Sequence, residues 1–129
     1  MSDPIKQVIV MRTKYPDGNG GTTGLRKGKL ISQACHASIS FLTGKWGKKL
    51  SKDEQEWIDG SFAKICVSVD SEEELLDIFQ QAKAKMLSVH MITDSGKTEF
   101  SGVPTKTCLA IGPDRSSKIN PITGELKLL

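Results

Sequence analysis

The sequence lacks the features of membrane proteins and of disulfide-stabilised secreted proteins. Its 129 residues include three cysteines, Cys35, Cys66 and Cys108, with no Cys-x-x-Cys pair, which argues against a disulfide framework and against a zinc knuckle. No apolar run approaches the roughly 20 residues that a membrane span needs, and the N-terminus has no basic-then-apolar leader. We therefore expect a soluble protein of the reducing cytoplasm, without a membrane partner.

The chain also lacks a large net charge, which is only +3, but its charges are unevenly distributed. Residues 1–50 hold nine Lys/Arg against two Asp/Glu, whereas residues 51–90 hold four against nine. A basic N-terminal third is typical of a protein that binds a phosphate-bearing partner. A solvated, lysine-rich surface would give the same pattern, so charge alone leaves both interpretations open.

The hydrophobic pattern predicts one α/β domain over residues 1–129. Strands are predicted at 5–12, 61–69, 87–93 and 105–111, with a Gly-rich loop at 15–24. A first helix is predicted at 26–43, ending at Gly44. Two more should begin at the capping boxes of Ser51 and Ser71, and a short one should begin at Asp114 and be broken at Pro121. Helices should cover both faces of the sheet, and the short link before 105–111 makes the last strand pair antiparallel, so the sheet is mixed.

The segment from Gly28 to Ala37 (GKLISQACHA) carries the most chemistry. At 100° per residue, one helix face presents Lys29, Gln33 and His36. The opposite face, which we expect to pack on the sheet, presents Ile31, Ala34, Cys35, Ser38 and Leu42. A solvated helix face would look the same. Lys29 nevertheless lies in the first turn, where it opposes the helix dipole, and this indicates a role beyond stability.

Two kinds of catalytic site receive little support. Cys35 precedes His36, but neighbours on a helix point about 100° apart, and Cys35 lies on the apolar face, so we predict that it is a core residue. His90 lies inside a predicted strand, and we predict that it is structural. A cysteine-dependent hydrolase stays an alternative. A phosphate loop needs four residues between its glycines and a hydroxyl residue after Gly-Lys, whereas three residues separate Gly24 from Gly28, and Leu30 follows Lys29.

Several segments, taken in order along the chain, form a set that is more specific than any one of them. They are a first strand ending in Arg12, Gly28-Lys29 with Gln33 and His36-Ala37, the strand after Trp57, Ser71-Glu72-Glu73-Glu74-Leu75, Asp94-x-Gly96-x-Thr98, Thr107-x-Leu109-x-Ile111-Gly112-Pro113, and the ending Ile122-Thr123-Gly124-x-Leu126-Lys127-Leu128-Leu129. Together they resemble the type II peptidyl-tRNA hydrolase family of archaea and eukaryotes, over nearly the whole chain. The chain departs from the family at Lys14, where many members have an acidic residue, and in its longer 15–24 loop.

The resemblance implies a function, a fold and a set of site residues. The implied function is hydrolysis of the ester bond between peptide and tRNA, with no metal or organic cofactor. The implied fold is a four-stranded mixed sheet between helical layers, in a chain that frequently forms dimers. The implied catalytic residues are Lys29, Asp94, Thr98 and Thr107, and we expect substrate contacts from Gln33, His36, Arg12 and Lys27. The alternative is a tRNA- or RNA-binding or adaptor module that keeps the fold without turnover.

The chemistry of this reaction constrains the roles. Lys29 could stabilise the oxyanion, and the threonine hydroxyls could position water or the carbonyl. Asp94, with an ordinary pKa of about 4, is a weak base at neutral pH, and pairing with Lys29 would weaken it further. We therefore expect Asp94 to orient Lys29 and the water, which requires both side chains in one pocket.

Overall fold

A computed structural model describes residues 2–43, 49–97 and 100–129 of the chain. Its elements, in chain order, are β1 (Ile5–Arg12), β2 (Tyr15–Pro16), β3 (Thr22–Thr23), α1 (Lys27–Thr43), α2 (Lys52–Asp59), β4 (Lys64–Val69), α3 (Glu72–Ala84), β5 (Val89–Asp94), β6 (Thr105–Arg115), α4 (Ser116–Thr123) and β7 (Lys127–Leu128). None of the described helices is long and apolar enough to cross a membrane. The predicted helix end at Gly44 lies outside the described residues.

The main sheet of the described chain has the order β5-β6-β1-β4-β7. β1 and β4 are parallel, and the other pairs, including β5 with β6, are antiparallel, which confirms the predicted mixed sheet. The expected count of four strands is wrong by one. The fifth strand, β7, forms because the apolar end of the chain pairs with β4, where the Leu129 N–H donates to the Cys66 carbonyl at 3.1 Å.

Helices cover both faces of this sheet, as the alternation of elements predicts. α3 and α4 pack on one face through an apolar core that includes Val8, Val10, Val67, Leu75, Leu109, Ile111 and Ile119. α1 and α2 pack on the other face over two smaller clusters, one around Ile9, Met11 and Ala110 and one around Phe41 and Trp57. The second face is thinner and more polar, and it carries the side chains described below as the candidate site.

Several predicted boundaries need correction. The loop at 15–24 contains the short β2–β3 pair, because the Asp17 carboxylate accepts the N–H groups of Asn19 and Gly21 and closes a tight turn. β4 begins at Lys64 because Phe62 has a positive φ of 55°, which interrupts an extended strand. Pro121 lies inside α4 and does not break it, since the buried residues Ile119, Ile122 and Thr123 hold the helix against the sheet.

The capping boxes begin their helices where predicted. Ser51 and Glu54 exchange both capping hydrogen bonds at the start of α2, and Ser71 accepts the Glu74 N–H at the start of α3. The helical spacing that includes Met86 extends too far, however. α3 ends at Ala84, and Met86, with a φ of 60°, is 91% exposed.

The predicted orientation of α1 is wrong. The helix buries Gln33, Ala37, Ser40 and Phe41 against the sheet, and it exposes an outer stripe formed by Ile31, Cys35, Ile39 and Leu42. The polar inner face is possible because its groups have partners. Gln7, fully buried in β1, donates to the Ser38 carbonyl at 2.8 Å and accepts the Ser38 hydroxyl at 2.6 Å. Cys35 is therefore exposed and is not a core residue.

Candidate active site

The first turn of α1 and the end of β5 meet at an ion pair. Lys29 Nζ lies 2.9 Å from Asp94 Oδ1, although 65 residues separate the two in sequence. Their side chains are 16% and 11% exposed, so the pair is largely enclosed while one side of it still reaches solvent. The predicted proximity of Lys29 and Asp94 is confirmed.

A tight turn fixes the carboxylate of Asp94. Asp94 Oδ2 accepts the Gly96 N–H at 2.9 Å, an Asx turn that aims the other oxygen toward α1. Gly96 has a φ of +82°, and a Cβ there would lie 2.2 Å from the Val103 carbonyl oxygen. Only glycine fits this position, which gives the Asp-x-Gly pattern a physical reason. The turn interpretation of Asp94 is confirmed, and its role as a site residue stays a prediction.

Behind the ion pair lies a buried chain of hydrogen bonds. Gln33 Nε2 donates to Asp94 Oδ1 at 3.2 Å, and the Thr107 hydroxyl donates to Gln33 Oε1 at 2.5 Å. Thr107 is 0% exposed and Gln33 is 1% exposed. The Thr107 hydroxyl thus fixes which end of the Gln33 amide faces Asp94, and the amide in turn fixes the carboxylate.

A bulge in β6 brings Thr107 to this position. Ile92 pairs with Cys108 and Thr93 pairs with Lys106, so Thr107 is an extra residue on β6. Successive side chains of a regular strand point to opposite faces, but here Thr107 and Cys108 both contact Gln33 of α1. The bulge therefore supplies two adjacent contacts beneath the helix.

The hydrogen bonds around Asp94 set its ionisation. The Lys29 ammonium holds the pKa of Asp94 below its ordinary value, with further lowering from the Gly96 N–H and the Gln33 amide, which together outweigh the opposing effect of burial. Asp94 is accordingly an anion at neutral pH. It suits electrostatic orientation of Lys29 and of a polar reactant better than proton abstraction.

A groove of about 550 Å³ opens beside the ion pair. One wall comes from α1, with Gln33, His36, Ile39, Ser40 and Thr43, and the other comes from the edge strand β5, residues 91–95. The groove combines a charged end at Asp94 with walls of mixed polar and apolar side chains, as substrate clefts commonly do. The apolar part of the groove could not be predicted, because Ile39 and Ile92 have the pattern of ordinary helix and strand residues.

The remaining predicted site residues are placed as follows. His36 lies on the exposed side of α1 and lines the groove, and Lys27 is exposed at the first residue of α1. Arg12 is only 7% exposed, and its guanidinium donates to the carbonyls of Lys14 and Lys106 and lies over the Tyr15 ring. Thr98 lies outside the described residues. The structure thus brings Lys29, Gln33, Asp94 and Thr107 together, with His36 at the edge.

The thiols offer poor nucleophiles, and the described residues offer no metal ligand set. Burial raises the pKa of the Cys66 thiol and raises that of Cys108 to about 11, so both are protonated at neutral pH. Cys35 belongs to the outer stripe on the far side of α1 from Gln33. Within residues 2–43, 49–97 and 100–129, no group of three or more His, Cys, Asp or Glu side chains could hold a metal ion.

Comparisons with known proteins agree with this fold and give the family. Residues 5–129 match the family model described as "Peptidyl-tRNA hydrolase PTH2". The chain is 42% identical to the peptidyl-tRNA hydrolase of Methanothermobacter thermautotrophicus and 38% identical to that of Methanocaldococcus jannaschii, each over 97% of this chain and all of the relative. A solved protein of unknown function from Agrobacterium shares the fold, with a TM-score of 0.58 and 12% identity over 100% of this chain and 99% of that one. The chain belongs to the peptidyl-tRNA hydrolase family that this model describes.

Proposed function

We propose that this chain hydrolyses the ester between peptide and tRNA at the Lys29–Asp94 pair, and so returns tRNA to translation. The observation that carries the proposal is the 2.9 Å contact of these two side chains at the end of a groove. An ammonium fixed by a carboxylate is a preorganised donor for the negative charge that develops on an ester carbonyl oxygen. Family membership supplies the substrate class.

Asp94 has one further position to offer a reactant. A carboxylate has about four lone-pair sites. Asp94 Oδ1 accepts from Lys29 and Gln33, and Oδ2 accepts from Gly96, which leaves one site on Oδ2. We assign that site to the attacking water, whose oxygen bonds to the acyl carbon while the ester C–O bond breaks. The water's protons end on the ribose oxygen and in solvent.

The remaining residues have supporting roles in this proposal. Thr107 is a positioning residue, since its buried hydroxyl acts on Asp94 through Gln33. Thr98 stays in the proposed site through its place in the Asp-x-Gly-x-Thr pattern. His36, on the groove wall, and Arg12, near the end of β1, stay as predicted substrate contacts. The reaction as written uses no metal and no organic cofactor.

The basic N-terminal third is proposed to bind tRNA phosphates. Lys14, Arg26, Lys27 and Lys49 are exposed, and two of them lie directly before Lys29 at the start of α1. Phosphates on this side would bring the acylated tRNA end to the Lys29–Asp94 pair. The other lysines predicted for this surface, Lys45 and Lys48, lie outside the described residues.

The test is release of deacylated tRNA from N-acetyl-aminoacyl-tRNA, measured for Lys29→Ala with Lys27→Ala as the matched control. Lys29→Ala should lower kcat by about 10²–10³, the typical effect of losing one oxyanion donor, with little change in the salt dependence of KM. Lys27→Ala should retain kcat and flatten the log–log salt dependence by about 0.7–0.9, the value of one phosphate contact.

Two results would contradict the proposal. Indistinguishable kinetics of the two variants over a range of salt concentrations would remove the division between catalytic and docking lysines. Binding of tRNA by the wild-type chain without release from any N-blocked substrate would favour the non-catalytic RNA-binding alternative.

We further propose a homodimer in the cytoplasm, where translation supplies the substrate. The outer stripe of α1 supports the dimer, because it exposes Ile31 by 65% and Leu42 by 39% on the side of the helix away from the groove. Ile31→Glu should convert a dimer into a monomer in sedimentation equilibrium. Met86→Glu, at a 91% exposed position after α3 on the other side of the sheet, should not. A wild-type chain that sediments as a monomer at micromolar concentration would contradict this proposal.

A further inference from the structure

We propose that the peptide part of the substrate binds as an added β-strand along the free edge of β5. This inference rests on the proposed function, because it takes the Lys29–Asp94 pair as the position of the reacting ester. The groove starts at Asp94 and continues along residues 91–95, so the chain attached to the ester has this edge as its nearest surface.

Among the described residues, the outer edge of β5 has main-chain groups without a strand partner. β5 is the outermost strand of the sheet, and no described strand pairs with its second side. The Gly112 N–H donates to the Ser88 carbonyl at 2.8 Å, which marks Ser88 as a residue whose groups face β6. Since facing alternates along an antiparallel strand, Met91 and Thr93 turn their N–H and C=O groups to the open edge.

These groups match the needs of an extended peptide. An edge strand binds a peptide through main-chain hydrogen bonds, independently of the peptide's side chains. Peptides released from stalled translation share their backbone and little else, so main-chain recognition suits them. At about 3.4 Å per residue, the three steps from Met91 to Asp94 give a length of about 10 Å, enough for about three peptide residues.

The walls of the groove suit varied side chains. Ile39 is 56% exposed on the α1 wall, and Ile92, which packs on the α1 side of the sheet, is half-buried on the β5 wall. The groove therefore offers apolar contact without a shaped specificity pocket, while the polar bonds come from the strand edge.

Binding at a strand edge also distinguishes peptidyl-tRNA from aminoacyl-tRNA. An N-blocked residue provides an amide N–H and an acyl carbonyl that can pair with the edge. A free aminoacyl group has a charged ammonium there instead, and no carbonyl beyond it. The affinity should therefore increase with the first two or three peptide residues and then level off.

The test is a series of N-acetyl-tripeptidyl-tRNAs, each with one N-methylated amide. Because only alternate residues of an added strand face β5, methylation should raise KM by about 3- to 10-fold at every second amide and leave the intervening one near the unmethylated value. Side-chain changes to Ala in the same peptides are the control and should shift KM less. Equal sensitivity at successive amides, or none, would overturn the proposal.

A variant pair gives an independent measurement. Met91→Pro removes one N–H from the open edge, where proline is tolerated, and Met91→Leu keeps it. Met91→Pro should lose the advantage of tripeptidyl over N-acetyl-aminoacyl substrate, and Met91→Leu should retain it. A folded Met91→Pro that retains this advantage would overturn the proposal, and the N-methyl series decides if Met91→Pro does not fold.

The two proposals fail in different ways. If the wild-type chain releases nothing from N-acetyl-aminoacyl-tRNA, the proposed function fails. If it releases tRNA but shows no dependence on peptide length or amide methylation, only the added-strand proposal fails. A dimer that Met91→Pro dissociates, with no length dependence, would assign the edge to a second copy of this chain and overturn the peptide proposal.

Discussion

The hydroxyl of Thr107 offers a sharp test of the buried chain behind the ion pair. Thr107→Val keeps the shape of the side chain and removes its only donor, so the buried Gln33 Oε1 loses its partner. An unsatisfied buried acceptor costs about 1–3 kcal/mol in the free energy of unfolding. For a domain of this size that lowers the melting temperature by roughly 3–15 °C.

The same substitution should also lower the rate of ester hydrolysis at temperatures well below the melting temperature, where the variant is folded. Without the Thr107 hydroxyl the Gln33 amide can rotate, and the 3.2 Å bond to Asp94 Oδ1 loses its fixed direction. A misplacement of the Lys29–Asp94 pair by about 1 Å costs up to about 10²-fold in rate. We expect this loss mainly in kcat, because the proposed phosphate contacts lie at the start of α1 and the proposed peptide hydrogen bonds lie on the edge of β5.

The assay compares Thr107→Val with Thr107→Ser, which keeps the hydroxyl. Single-turnover release of tRNA from N-acetyl-aminoacyl-tRNA should be slow for the valine variant and near wild type for the serine variant. A purely structural role would lower stability in the valine variant and leave kcat intact. That outcome, or equal impairment of both variants, would refute the positioning role of Thr107.

Two further predictions concern Asp94. Gly96→Ala should fold less stably and lose most of kcat, because its Cβ would lie 2.2 Å from the Val103 carbonyl oxygen and the turn that holds the carboxylate must open. Gly28→Ala, at an open helical position, is the control. Full activity of Gly96→Ala in the same assay would contradict this prediction. The lowered pKa of Asp94 means that its ionised form stabilises the fold above its ordinary pKa of 3.8, and this contribution is lost as the pH falls through the lower folded value. In chemical denaturation, the difference in the free energy of unfolding between wild type and Asp94→Asn should therefore shrink below about pH 4. The value of kcat should stay level from pH 7 to 5. A fall in kcat in that range that Asp94→Asn abolishes would contradict this prediction.

Sequence patterns predicted the layers because these depend on local signals, whereas the contact of Lys29 with Asp94 was predicted from the family resemblance and the mechanism that it implies. The capping boxes begin α2 and α3, and β-branched runs give β1 and β4. Lys29 and Asp94 stood out as polar residues at element ends. Their contact follows from the fold, in which α1 lies over β5.

The orientation of α1 could not be predicted in the same way. The helix has two apolar arcs, one with Ala37 and Phe41 and one with Ile31 and Ile39. Which arc packs inward depends on partners distant in sequence, namely Gln7 for Ser38 and Thr107 for Gln33. Amphipathic periodicity alone carries no information about such pairs. β7 was missed for a similar reason, since two residues form a strand only beside β4.

The bulge at Thr107 has a consequence for how this sequence can change in length. Deleting one residue there would restore regular alternation in β6 and turn either Thr107 or Cys108 away from α1. A single deletion in a central strand would thus uncouple the helix from the carboxylate without altering any residue of the ion pair. The turn at 17–21 between β2 and β3, which is exposed, should accept insertions freely. Tolerance to insertion and deletion along the chain therefore follows the geometry of β6 more closely than distance from Asp94.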